Sequence, residues 1–118
     1  MPRILDPVRI PVPGNKLIEE FWGNVSTQSD SASVAHMIAP PGWAEPYQAP
    51  TFDELTIVLR GRMRVTSASG ELDVAAGGVV LCEAGERVQY SNPFPEESEY
   101  WAICVPAFRL DRAQREES

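Results

Sequence analysis

Histidine is almost missing from these 118 residues, His36 being the only one. A metal centre built from two or more imidazoles is thereby excluded. Positive charge is also scarce: ten Lys and Arg stand against 17 Asp and Glu, for a net charge of −7. Phosphate contacts need a basic surface, so no nucleic-acid partner is expected. No apolar run approaches the roughly 18 residues of a membrane span. The N-terminal stretch MPRILDPVRIPVPG has no apolar signal core, because proline and charge interrupt it. These absences lead us to expect a cytoplasmic chain with no membrane partner. The two cysteines, Cys82 and Cys104, sit in apolar strand-like runs and read as buried free thiols. A disulfide between them would require their strands to pair closely.

Proline and glycine are abundant, at eleven and eight residues, and favour short strands with frequent turns. Apolar residues at 43% and charged residues at 23% are ordinary for a globular chain, and the length suits one domain over residues 1–118. Residues 1–14 hold four prolines and read as an extended arm. Its Ile4, Leu5, Val8, Ile10 and Val12 are too apolar to stay free, so it should pack on the body of the domain or on a partner subunit. Strands are expected within 16–25 and over 34–38, 54–59, 63–66, 72–74, 79–82, 87–90 and 100–105. Turn signals such as Arg60-Gly61, Ala76-Gly77-Gly78 and Asn92-Pro93 fall between them. Strands recurring about every ten residues describe an all-β sandwich or barrel. The polar tail 110–118 should be mobile and at most a frayed helical turn.

Two stretches carry a family pattern. GWAEPYQAPTFDELTIVLRG, from Gly42 to Gly61, resembles the first cupin motif, G-x5-H-x-H-x3-E-x6-G, with Gly42, Glu54 and Gly61 in place. The second motif, G-x5-P-x-G-x2-H-x3-N, is matched at Gly77, Gly85 and Asn92. Together they cover roughly half the chain. The resemblance implies an all-β fold, a single cupin β-barrel of the jelly-roll type. The general texture is also similar to the short ethanolamine-utilisation cupins. The departures are as informative as the matches. Gln48 and Pro50 stand at the first two histidine positions, Glu83 at the proline and Val88 at the third histidine. In the family those histidines and the glutamate hold a divalent metal, and here only Glu54 survives. The expectation is therefore no cofactor. The alternative is a divalent metal in a residual oxygen site of Glu54, Gln48 and Glu45, of the kind that hard cations accept.

Side chains alternate across a strand, so Gln48, Pro50, Phe52 and Glu54 would share the face that points into the barrel. Val88 and Tyr90 would point inward from the second motif, sending Arg87 and Gln89 outward. The expected pocket has Glu54 and Tyr90 as its acid–base and hydrogen-bonding groups, with Gln48 and an apolar wall at Val88 and Val58. Trp43, Glu45 and Tyr47 would stand at its mouth as ligand-binding residues. Without a metal, a carboxylate in such a cavity is desolvated and its pKa rises towards neutrality, which suits proton transfer. Glu54 could equally pair with an inward arginine or with Gln48 and merely fix the barrel. His36 is a further candidate acid–base residue if it faces the cavity, a facing that the pattern around it leaves open. Two classes of function follow: a metal-independent acid–base enzyme of the isomerase, lyase or cyclase type, or a non-catalytic small-molecule-binding module. A homodimer is expected in either case.

Overall fold

Positive-φ glycines cut this chain into short strands. At Gly61, where φ is +75°, a Cβ would collide with the carbonyl oxygen of Glu97. That position admits only glycine, for backbone space as well as for its dihedral. The computed structural model describes residues 1–117; Ser118, the last residue of the polar tail, lies outside the described residues. The elements are β1 (Val8–Arg9), β2 (Leu17–Trp22), β3 (Ser33–Ala39), β4 (Asp53–Arg60), β5 (Arg62–Ser67), β6 (Gly70–Ala75), β7 (Val79–Cys82), β8 (Gln89–Ser91), β9 (Ser98–Val105) and a one-turn helix, α1 (Leu110–Ala113). All strand pairs are antiparallel. One sheet runs β1-β2-β3-β9-β4-β7, and a smaller one runs β6-β5-β8. The two sheets close on a core that includes Val58, Val80 and Tyr100 from the first and Met63, Val65 and Tyr90 from the second.

Register decides what faces inward. Glu54 lies between Cys82 on β7 and Cys104 on β9, and Cys104 in turn pairs with Ser33 on β3. The next inward row is Val80, Thr56, Ala102 and Ala35. Because β4 separates the two cysteine strands, their Cα atoms are about 10 Å apart by strand spacing alone. This is beyond disulfide reach. Both thiols are free and buried.

The segment 42–48 lies along β8, bridging Ala44 to Ser91 and Gln48 to Val88. Those two pairings differ by one residue in register, so the strand bulges near Pro46. In consequence Glu45 and Gln48 face the same way, three positions apart. The motif asparagine, Asn92, is fully buried. Its Nδ2 donates to the carbonyls of Ala39, Pro40 and Glu96 at 2.9–3.2 Å, and its Oδ1 accepts from the Phe94 amide at 3.2 Å. It ties the 39–42 turn to the 92–97 turn.

The arm closes on the barrel only from Val8 onward, Ile4 staying exposed contrary to the expectation that it packs, and the tail closes on it too. The arm adds β1 to the edge of β2, and the Ile10 amide donates to the Ile18 carbonyl at 2.9 Å. The tail is anchored through residue 116, which corrects the expectation of mobility. Ala113 is buried with Phe52 and Cys104, Arg115 bridges to Gln48, and the Glu116 amide donates to the Tyr47 carbonyl at 2.8 Å.

Candidate functional site

A cavity of about 560 Å³ opens between the inner face of the large sheet and the segment 43–48. The arm closes one side with Ile10, Pro11 and Val12, and residues 108–111 close another. Glu54, Gln48, Glu45, Trp43 and Tyr90 all line it, as the motif resemblance implied. The route differs from the expected one. Regular β4 begins only at Asp53. Pro50 and Phe52 are buried, Phe52 beside Phe108 in a second apolar cluster, so no single strand face carries the whole set.

Three expected site residues lie elsewhere. His36 is on the outside of the sheet: Ser33, Ala35 and Met37 line the cavity, and alternation along β3 turns the imidazole away. It packs on Trp101 at 5.1 Å between centroids, with Nε2 2.7 Å from Glu99 and Nδ1 3.4 Å from Glu19. Tyr47 falls past the bulge and points outward, under the Arg87 guanidinium at 4.0 Å. Val88 does face inward, but it is sealed in the core beside Val58 and does not reach the cavity wall.

Among the described residues three cations not expected from the sequence line the cavity: Arg109, paired with Asp111, and also Lys16 and Arg115. Lys16 lines the cavity with its Nζ 3.5 Å from the centroid of the Trp43 ring, donating to the Tyr100 hydroxyl at 2.5 Å. Arg115 donates from Nε to the Gln48 Oε1 at 3.1 Å and from Nη2 to Glu45 at 3.5 Å. One signal for Lys16 was present, since it is the only lysine in the chain and shares the parity of Ile18 and Glu20. Arg115 had none, because its placement depends on a contact spanning 67 positions.

Burial sets the protonation of this group. Glu54 is pushed up to about 8 by desolvation and then by the Glu45 charge, against the pull of Lys16, Arg115 and the Tyr90 hydroxyl. Glu45 also moves up through burial, opposed by Lys16 and Arg115. Lys16 is pulled down to about 8 by burial, with Glu45 and Glu54 opposing. Near pH 7 Glu54 is thus mostly a neutral acid and Lys16 mostly an ammonium. The buried Tyr90 hydroxyl has no well-formed hydrogen-bond partner, although it stands close enough to Glu54 to favour its ionised form. Burial and then the Glu54 charge keep the phenol itself protonated.

No family model matches the chain. Among curated proteins it is 47% identical over 107 residues to the endoribonuclease YbeY of Myxococcus xanthus, covering 91% of this chain and 36% of that protein. The chain therefore spans about a third of that relative's length. Among solved structures it is similar to a cupin 2 conserved barrel domain protein from Salinispora arenicola. The TM-score is 0.65 at 21% identity, over 77% of this chain and 76% of that one. It is also similar to oxalate decarboxylase from Bacillus subtilis, with a TM-score of 0.78 at 17% identity, over 93% of this chain and 30% of that one. EutQ from Clostridium difficile gives 0.63 at 12% identity, over 83% and 75%. The barrel has the cupin fold.

The cupin metal centre does not fit these residues. Among the described residues, no group of three or more His, Cys, Asp or Glu side chains comes together to hold an ion. Glu54, Gln48 and Glu45 do share the cavity, but Arg115 already occupies the amide oxygen of Gln48 and lies against Glu45. The described helix is also too short to cross a membrane.

Proposed function

We propose that this cupin binds a small polar organic molecule in the cavity and that Glu54 acts on it as an acid–base group without a metal. The observation that carries this reading is a carboxyl group held mostly protonated near neutral pH on a cavity wall, facing a buried phenol that lacks a partner. A carboxylic acid poised near the working pH can donate a proton and take one back, as isomerisation, elimination or ring closure requires. Tyr90 supplies a hydroxyl for an oxygen that gains negative charge, and the amide nitrogen of Gln48 supplies a further donor. Arg115 and Lys16 provide fixed positive charge where the family would carry a metal.

Glu54→Gln tests the chemistry. Across a panel of small hydroxy- and keto-acids followed by NMR, lost turnover with retained binding supports the role, and unchanged turnover removes Glu54 from it. The match to one third of a longer protein favours a second reading, in which the barrel is a ligand-binding module serving another activity. Endoribonuclease activity in this chain itself is disfavoured by its net charge of −7. We place the chain in the cytoplasm as a homodimer packed through the exposed outer side chains of β4 and β7, Leu55, Val79 and Leu81. Leu81→Asp should yield a monomer on size-exclusion chromatography. An unchanged dimer would move the interface elsewhere.

A further inference from the structure

Among the described residues that line the cavity, Lys16 is the one cation with no carboxylate within 4 Å. Among the described residues, the ion pairs within 4 Å engage seven arginine or histidine side chains and nine carboxylates but never Lys16. Its ammonium is held by an aromatic face and one phenol oxygen, which accept a cation without neutralising it. A buried charge left in this state is costly unless something compensates it. The other carboxyl groups on the cavity wall are engaged elsewhere, Glu45 by Arg115, Asp111 by Arg109 and Glu20 by the Val25 and Ser26 amides, and Glu54 is mostly protonated near neutral pH. Among the described residues, no carboxylate is paired directly with the Lys16 ammonium. Around it the cavity is mostly apolar, with Ile10, Val12, Ile18, Met37 and Phe108 on its walls. Its volume lies in the usual range for a small-molecule pocket.

We propose that the cavity takes a small organic monocarboxylate with an apolar body, its charged end on Lys16 and its body against the arm and β2. This inference rests on the small-molecule reading above and deepens it by naming the ligand class. The carboxylate would accept from the Lys16 N–H groups that Tyr100 leaves free, forming a charge-assisted pair with the ammonium. Trp43, already over the ammonium, would form one side of the polar end.

The test is calorimetric titration of the full chain at pH 7 with hexanoate, 1-hexanol and hexylamine. Hexanoate should bind at least about tenfold more tightly than 1-hexanol, and hexylamine should not bind. Lys16→Met should abolish the preference for hexanoate while keeping 1-hexanol binding, and Lys16→Arg should retain the preference. If Lys16→Met does not fold, the order of the three probes on the natural chain decides. Equal affinity for hexanoate and 1-hexanol, or a preference that survives Lys16→Met, overturns the monocarboxylate inference and leaves the small-molecule reading standing. Failure of all three probes to bind overturns both.

Discussion

Arg115 holds Gln48: its Nε donates to the amide oxygen at 3.1 Å, joining the tail to the position where a cupin carries its first histidine. The guanidinium thereby sets a positive charge against Gln48 and Glu45 and fastens the segment that closes the cavity. Arg115→Met should lower stability by about 1–2 kcal/mol, the scale of a charge-assisted hydrogen bond with partial solvent exposure. It should also move the Glu54 titration upward, since Arg115 favours the ionised carboxylate. Thermal melts and carboxyl ¹³C NMR would read the two effects separately.

Stability should pass through a minimum near pH 8. Glu54 rises from an ordinary 4.5 to about 8, so between those values the folded chain holds a proton that the unfolded chain has released, and stability falls as pH rises. Lys16 drops from 10.5 to about 8, so from pH 8 to 10.5 the unfolded chain holds the extra proton and stability climbs again. The falling limb is worth on the order of 5 kcal/mol and the rising limb on the order of 3 kcal/mol. Urea melts should show the falling limb flattened in Glu54→Gln and the rising limb flattened in Lys16→Met.

His36→Ala should leave ligand binding in the cavity unchanged. Its imidazole bridges Glu19 and Glu99 on the outer face, and Glu99 is held below the usual carboxylate range by His36 and then Arg60. The loss should be about 1 kcal/mol or less, because both partners are partly solvated. A change in ligand affinity would contradict its outward placement.

Gly61→Ala should be among the most damaging single substitutions, costing roughly 2–4 kcal/mol through a backbone collision and a left-handed dihedral together. Asn92→Ala should cost a similar amount, since three carbonyls and one amide lose their partner in a buried turn. Differential scanning calorimetry of both variants checks this. Gly85→Ala should be milder, because its Cβ would meet nothing within 4 Å and only the positive φ opposes it.

The spacing of glycines and of Glu54 and Asn92 was enough to point to the barrel, since turn positions and strand periodicity are local properties of the chain. The inward facing of Val88 and Tyr90 followed from the same alternation. The sequence by itself determined that a metal-ligating set of histidines is absent and that a carboxylate survives at the motif position. It could not show which face of β3 carries His36, because both sets of side chains there are apolar enough to be core. Nor could it show that Glu45 enters with Gln48 while Tyr47 stays outside, because one inserted residue near Pro46 breaks the alternation between Glu45 and Gln48. Only the tertiary structure decided that Lys16 and Arg115 enter the cavity. Their positions depend on closing the arm and the tail onto the barrel, and contacts spanning 67 and 84 positions leave no periodic trace in the sequence.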